Sequence, residues 1–232
     1  QANVTTDTGA ISFNALGTGN NDGLINPTNG AIAISANTTL TIQSEGGING
    51  TNITSLTLTA NDGISVNASS GNFSANAQTT INADADASGS GNLSLGANQA
   101  LTTNDGSLTI TANDIDLGTN VTINTTNAEI FVNDSDGTGI GVGNVTLAGG
   151  MILSGGELQG FITTGNLTLN TAGNIAVNSI SNANSDNVAN VILDAGGNIS
   201  FGESVSTFNA IDAEADDGIV MSVGLTTDTG AL

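Results

Sequence analysis

The chain has 232 residues, 21 acidic side chains and no Lys, Arg or His, which gives a formal net charge of −21 at pH 7. No side chain can neutralise a phosphate, so we expect neither a nucleic-acid partner nor binding to anionic membranes. Cysteine is absent, which excludes disulfides and thiolate metal sites, and no apolar run is long enough for membrane insertion.

The first periodic segment returns at the other end of the chain. Residues 4–13 read VTTDTGAISF, and the six letters TTDTGA recur at 226–231, 221 residues after their first occurrence. Aliphatic residues flank both copies, namely Val4, Ile11, Leu225 and Leu232. Self-similarity at a fixed offset indicates a repeat architecture. We therefore interpret residues 1–232 as a single unit, about one 221-residue period of a longer array, and predict that these four flanking residues lie at its junctions.

Related segments fill the chain between the two copies. Each consists of a short alternating strand, a small polar turn with Gly, Asn or Asp, and a second short strand. In chain order they are LTIQSEGGI at 40–48, LTLTANDGISV at 56–66, LTITANDIDL at 108–117, VTINTTNAEIFV at 121–132, VTLAGGMIL at 145–153, LTLNTAGNIAV at 167–177, VILDAGGNISF at 191–201 and IDAEADDGIVM at 211–221. The starts from 121 to 191 lie 22 to 24 residues apart, a spacing that suits one coil of a parallel β-helix. Shorter spacings elsewhere indicate segments on different faces of one coil.

The alternation within each segment predicts which side chains face the interior. In Leu56-Thr57-Leu58-Thr59 the leucines face one way and the threonines the other. One such unit cannot bury its apolar side alone, whereas stacked units bury a continuous interior. We therefore predict an all-β fold, a right-handed parallel β-helix or β-solenoid. Tandem antiparallel β-sandwiches of the adhesin kind also contain strand–turn–strand segments, and they remain the alternative.

The repeats resemble those of a known class of surface proteins. The phrases LTLTANDGISV, LTLNTAGNIAV and VILDAGGNISF are similar to the degenerate repeats of filamentous-haemagglutinin-type and autotransporter β-helical proteins. Those proteins are secreted, very long, and serve as adhesins or surface fibres. The resemblance is one of repeat style, and it implies an extracellular location at the cell surface.

The side-chain inventory argues against an enzyme. Ser–His and Cys–His mechanisms need residues that the chain lacks. β-Helical polysaccharide lyases need an Arg or Lys beside the abstracted proton. Glycoside hydrolysis needs only carboxylates, but no Trp or Tyr is present to stack on a sugar ring. We therefore expect a structural function, as a segment of an extracellular fibre that continues head to tail or in tandem copies of itself.

Calcium is the cofactor that the acidic residues favour. Two stretches place acids on alternate residues, ADADA at 83–87 and IDAEADDG at 211–218. If both are strands, the acids project from one face, where oxygen ligands two residues apart suit a hard cation. The calcium candidates are Asp84, Asp86, Asp212, Glu214 and Asp216. A solvated polar face is the simpler interpretation of the same pattern.

Two other functions compete with the structural one. An adhesin module would bind a glycan or a host surface through loops, for which segments 14–30 and 133–144 are the candidates. An ice-binding solenoid would present flat rows of Thr-x-Thr. The pairs Thr57/Thr59 and Thr109/Thr111 fit such rows, but related segments carry Asn170 or Asp194 at the second position.

Overall fold

The computed structural model describes residues 4, 9–21, 23–43, 47–50, 53–67, 72–75 and 77–229. These residues form a β-solenoid of about nine turns, with 56% strand and 5% helix. The paired strands are parallel, including the pairs that link successive coils along the first side. Parallel pairing excludes the antiparallel sandwich alternative. The right-handed winding stays a prediction.

Side one of the coil contains the longest strands, one in each coil. They are β1 (Ile11–Ala15), β4 (Gly30–Ala36), β7 (Ile53–Ala60), β10 (Gln78–Asn82), β13 (Leu108–Ala112), β16 (Ile130–Asp134), β19 (Phe161–Thr171), β21 (Val188–Ala195) and β24 (Ile211–Ala215).

Side two follows in each coil after a tight corner. Its lower five strands are β2 (Gly19–Asn21), β5 (Leu40–Ile42), β8 (Ile64–Val66), β11 (Leu93–Leu95) and β14 (Ile115–Leu117). Its upper five, in spatial order, are β18 (Met151–Leu153), β17 (Gly139–Gly143), β20 (Asn174–Asn178), β22 (Asn198–Phe201) and β25 (Gly218–Met221).

Side three closes the coil and leads back to side one. Its strands are β3 (Leu24–Ile25), β6 (Gly47–Gly50), β9 (Asn72–Ala75), β12 (Ala100–Thr102), β15 (Thr122–Thr126), the first residues of β19, β23 (Ser206–Phe208) and β26 (Leu225–Thr227). Two short helices, α1 (Gly155–Gly160) and α2 (Asn182–Ser185), precede side three in the sixth and seventh coils. Because β19 pairs with both β15 and β16, side one and most of side three belong to one fourteen-stranded sheet, while β23 and β26 form a separate two-stranded sheet.

The interior is a stack of aliphatic columns. On side one, Leu56 lies in register with Thr79, which is followed by Leu108, Ile130 and Leu167 in the next coils. All five are fully buried. The one polar member donates a hydrogen bond from its hydroxyl to the carbonyl of Ala77 at 3.2 Å, so it stays in the column without an unpaired donor. The alternating pattern therefore predicted the buried face correctly.

Coil length varies more than the sequence spacing suggested. Register partners on side one are 20 residues apart for Val191 and Ile211, but 37 apart for Ile130 and Leu167. The longer coil carries an additional strand, β18, which lies between β17 and the lower sheet of side two. The solenoid therefore absorbs insertions at its corners while the strands stay in register.

The segment at 145–153 was predicted as strand–turn–strand, and this is wrong for its first half. Only Met151–Leu153 forms a strand there. Val145 instead packs over the outer side of β17, where a Cβ on Gly141 would lie 3.1 Å from the Val145 Cγ1 atom. All five residues of β17 are buried. Gly141, at an outward position of β17, therefore allows Val145 to pack directly against the strand.

Candidate functional site

The two ends of the described solenoid are in the same phase of the coil. Val4 forms a parallel bridge with Ile25 of side three, and Leu225 pairs with Ser206, also in the side-three position. Ile11 begins side one. The candidate junction residue Leu232 lies outside the described residues. It follows Ile211 by 21 residues in the sequence, the same distance that separates Ile11 from its register partner Ile32. The spacing is therefore that of one further coil.

Both end coils expose apolar side chains that would be buried in the middle of the stack. At the first coil, Phe13 occupies the inward position beside Ile34 and is 42% exposed. It lines a cavity of about 300 Å³ at the open end of the bore, together with Val4 and Ile25. Ile11 itself is buried.

The last coil has the complementary surface. Ile219 and Met221 stack on the buried residues Ile199 and Phe201, but they are 46% and 52% exposed because no described residue covers their other side. Among the described residues, both ends therefore present inward-type apolar side chains and strand edges to which no further strand is paired, the surfaces through which solenoids stack.

The predicted strand at 83–87 is wrong. The chain turns there, after β10 has ended at Asn82. Asp84 is 2% exposed, whereas Asp86 is exposed, so these two calcium candidates do not share an outward strand face. The alternation of Ala and Asp is typical of a strand. It contains no information about the donors that bind the Asp84 carboxylate and hold the chain in a turn instead.

The Asp84 carboxylate is surrounded by hydrogen-bond donors. Its Oδ1 atom accepts from the backbone N–H and the hydroxyl of Ser88, both at 3.1 Å. Its Oδ2 atom accepts from the Gly89 N–H at 3.0 Å and from the Ser135 hydroxyl at 2.6 Å. Burial alone would raise the Asp84 pKa, but the hydrogen bonds from Ser135, Gly89 and Ser88 outweigh it and lower that pKa. This carboxylate fixes the loop by accepting four hydrogen bonds.

The second acidic stretch lies where the sequence placed it. In β24 the inward and outward positions alternate, and Asp212 and Glu214 are exposed. Asp216 is also exposed and follows the end of the strand. Glu214 lies in register with Asp194 of the preceding coil. The three candidates therefore lie at one end of the solenoid, on its outer surface.

No group of three or more His, Cys, Asp or Glu side chains within the described ranges is arranged to hold a metal ion. A smaller cluster of polar groups, which we call the acidic corner, occurs between sides one and two. It consists of Asp134, Asp136 and Asn113 together with the turn around Gly89. Most coils place alanine at the inward corner position, and Ala112 is the register partner of Asp134.

Asp134 is buried with one carboxylate oxygen paired and the other unpaired. Its Oδ2 atom accepts from the Gly139 N–H at 2.8 Å and the Thr171 hydroxyl at 2.7 Å. Its buried Oδ1 atom has no donor among the described residues. Desolvation by burial, reinforced by contact with the carboxyl of Asp136, raises the Asp134 pKa, although the Gly139 and Thr171 hydrogen bonds oppose this.

Asp136 completes the pair from a more exposed position. Its Oδ1 atom accepts from the N–H and the hydroxyl of Thr138, at 3.0 and 2.8 Å. Burial would raise the Asp136 pKa, but the Thr138 bonds and the adjacent carboxyl of Asp134 lower it. Neither Asp134 nor Asp136 is among the calcium candidates predicted from the sequence, although the run DSDG at 134–137 has alternate acids of the kind that bind cations.

Outward threonines form only short rows. Thr57, Thr80 and Thr109 are successive register partners on side one. Phe131 is the next partner in this row, and Ile192 is the partner of Thr168 two coils further on. The outer surface of side one is therefore mixed, and a regular ice-binding array would need a longer row.

The segments proposed as binding loops both contain strands. Segment 14–30 contains β2 and β3, and segment 133–144 contains all of β17. The larger departures from the coil are the turn at 83–92 and the insertion at 144–160. In the insertion, Ser154 and Glu157 form a capping box at the start of α1. The S-x-x-E spacing of that box is a sequence signal for the start of a helix, and the predicted all-β pattern did not include this helix.

Neither described helix is long and apolar enough to cross a membrane. Comparisons with protein-family models, curated proteins and solved structures gave no match to this chain.

Proposed function

We propose that this chain is a structural segment of an extracellular fibre or surface filament built from stacked β-solenoid coils. The observation that carries the proposal is the common phase of the two ends. Val4 and Leu225, 221 residues apart, both lie in the side-three position of their coils. A further coil placed after Leu225 would repeat the first coil without a change of register. Such a translation generates an open filament and no closed ring.

The energetics of the junction support the same proposal. The chain has no basic side chain, so backbone hydrogen bonds and aliphatic stacking must hold one unit to the next. Ile219, Met221 and Phe13 present about half of their surfaces for this stacking. Burial of apolar surface contributes roughly 25 cal/mol per Å², and the parallel ladder adds hydrogen bonds along each side of the coil.

Charge limits where a second unit can bind. With 21 acids and no bases, two chains repel each other at most of their surface. The apolar ends are the places where attraction can exceed that repulsion. We infer end-to-end continuation, with secretion and display at a cell surface as the setting that the repeat style implies.

Sedimentation velocity over a range of protein concentrations and at physiological salt tests the assembly of separate copies. The wild-type chain is expected to form end-to-end oligomers. Ile219→Asp and Met221→Asp are expected to abolish them because each places a charge on the stacking surface. Val220→Asp is the matched control, since Val220 lies on the same strand but faces outward, and it should associate as the wild type does.

Single rods at every concentration would overturn the assembly of separate copies. Equal loss of association in the Val220→Asp control would show that net charge, and not end-to-end stacking, governs association. Circular dichroism of each variant establishes that the solenoid itself remains folded.

A further inference from the structure

The acidic corner contains oxygen atoms that the protein itself does not satisfy. Asp134 is only 9% exposed, and its Oδ1 atom is buried without a donor among the described residues. A buried, unpaired carboxylate oxygen is costly. No basic side chain exists anywhere in the sequence to compensate it.

A second unpaired oxygen lies in the adjacent coil. The side-chain N–H group of Asn113 donates to the Asn92 side-chain oxygen at 3.2 Å, which fixes the orientation of the Asn113 amide. Its Oδ1 atom is then buried and has no donor within the described part of the chain. Asn113 and Asp134 belong to neighbouring coils, so their unpaired oxygens are independent observations at one corner.

Gly89 lies between Asn113 and Asp136. A Cβ atom on Gly89 would lie 2.8 Å from the Asp136 Oδ2 atom and 3.8 Å from the Asn113 Oδ1 atom. Gly89 has a positive φ of 74°, and its N–H is held by the Asp84 carboxylate at 3.0 Å. Because residue 89 is glycine, the turn leaves a space beside the Asp136 and Asn113 oxygens. Any larger side chain at this position would fill that space.

We propose that the acidic corner binds one Ca²⁺ ion through Asp134 Oδ1, Asp136 Oδ2 and Asn113 Oδ1, with water completing the coordination. These are hard oxygen ligands from two carboxylates and one amide, and calcium tolerates the irregular geometry of such a set. Both Thr138 bonds are to Oδ1 of Asp136, so they leave the ion its Oδ2 atom, the one beside Gly89. Asp136 is partly exposed and provides the route of entry.

A proton shared between the two carboxyls is the competing explanation. It would satisfy Asp134 Oδ1 through a hydrogen bond to Asp136, but it would leave Asn113 Oδ1 unpaired. A cation satisfies all three oxygens and neutralises both carboxylates. The site lies on the side of the solenoid in coils five and six, away from both end coils, so calcium binding does not depend on the proposed fibre.

Isothermal titration of the intact chain with CaCl₂ at pH 7 and constant ionic strength tests the site. One saturable site is expected, with a dissociation constant on the order of 10⁻⁴–10⁻³ M, typical of weakly charged extracellular calcium sites. Asp134→Asn and Asp136→Asn should each weaken binding at least about tenfold because they remove a charged ligand. Asn113→Asp should tighten binding, since it adds a third carboxylate.

Asp62→Asn is the charge-matched control. It removes one acid from the exposed turn after β7 and should leave the affinity unchanged. Absence of saturable binding in the wild-type chain would overturn the proposal, as would equal weakening by the control, which would indicate a diffuse counterion atmosphere. MgCl₂ should bind more weakly because Mg²⁺ demands near-octahedral geometry, and equal binding would overturn the assignment to calcium.

Discussion

The middle coils and the end coils are built from the same repeat, yet they bury it to different extents. Leu169 in the seventh coil is fully buried, with strands of neighbouring coils on both sides. Met221 in the last coil also occupies an inward position but is 52% exposed. The difference shows that an inward side chain is buried by the neighbouring coils. The same sequence pattern therefore contributes more to the free energy of unfolding in a middle coil than in an end coil.

The largest effect is expected from truncation in a middle coil. Leu169→Ala should lower the free energy of unfolding by about 2–5 kcal/mol because it leaves a cavity between two covered coils. Thr168→Ala, one residue away on the outer surface, should change it by less than about 0.5 kcal/mol. Urea denaturation of both variants measures the contrast. Similar losses in the two would mean that the inward and outward assignments are wrong.

A smaller effect is expected from the buried Asp84 carboxylate. Asp84→Asn should destabilise the protein by about 1–3 kcal/mol at pH 7, since an amide cannot accept all four hydrogen bonds. The folded-state pKa of Asp84 is lowered from the usual 3.8, so its stabilisation is complete above pH 3.8 and is lost as the pH falls through the folded-state value. The variant should therefore converge with the wild type in acid. A constant difference down to the lowest pH would contradict this.

The end coil should respond less than the middle coil to the same kind of truncation. Ile219→Ala is expected to cost only about 1 kcal/mol, because the side chain is half exposed before the change. At protein concentrations where sedimentation shows single rods, hydrogen exchange should show the same gradient, with the amides of β25 exchanging faster than those of β13 and β16. Uniform protection from β13 to β25 under those conditions would contradict the exposure of the last coil.

The smallest effect at neutral pH is expected from Asp134→Asn, which should still change the pH dependence. Burial and the nearby Asp136 raise the folded-state pKa of Asp134 above 3.8. The folded state therefore holds its proton more tightly, and stability should rise as the pH falls through that pKa toward 3.8. Melting temperatures in the presence of chelator should show a smaller rise in the variant. An identical pH profile would contradict the raised pKa.

The sequence predicted the repetitive part of the structure well and the non-repetitive part poorly. The alternation in LTLTANDGISV corresponds to β7 and β8 with the expected inward residues, because the pattern depends on strand period alone. Val145 and Asp84 were placed wrongly. Their positions depend on Gly141 of an adjacent strand and on Ser135, 51 residues after Asp84, and no local pattern contains that information.

Of the two candidate sites, the junction between units was predicted from the sequence and the acidic corner was not. The phase relation between Val4 and Leu225 was visible as a repeated phrase, and the structure assigns both residues to the third side. Asp134 and Asp136 are visible in the sequence only as the run DSDG, and the third oxygen of the acidic corner, from Asn113, comes from the preceding coil. Coil lengths range from 20 to 37 residues on side one, so no local pattern shows which residues of successive coils lie side by side.

The continuity of the coil across the junction is the central claim, and a covalent duplication tests it most directly. In the duplicated variant, residue 231 of the first copy is joined directly to residue 11 of the second copy. One 221-residue period is thereby repeated without a linker. About nine turns at roughly 4.8 Å per turn give a rod of about 43 Å. Small-angle X-ray scattering of the duplicated chain should then show one rigid rod of about 86 Å. Two rods joined at a flexible hinge would contradict the account.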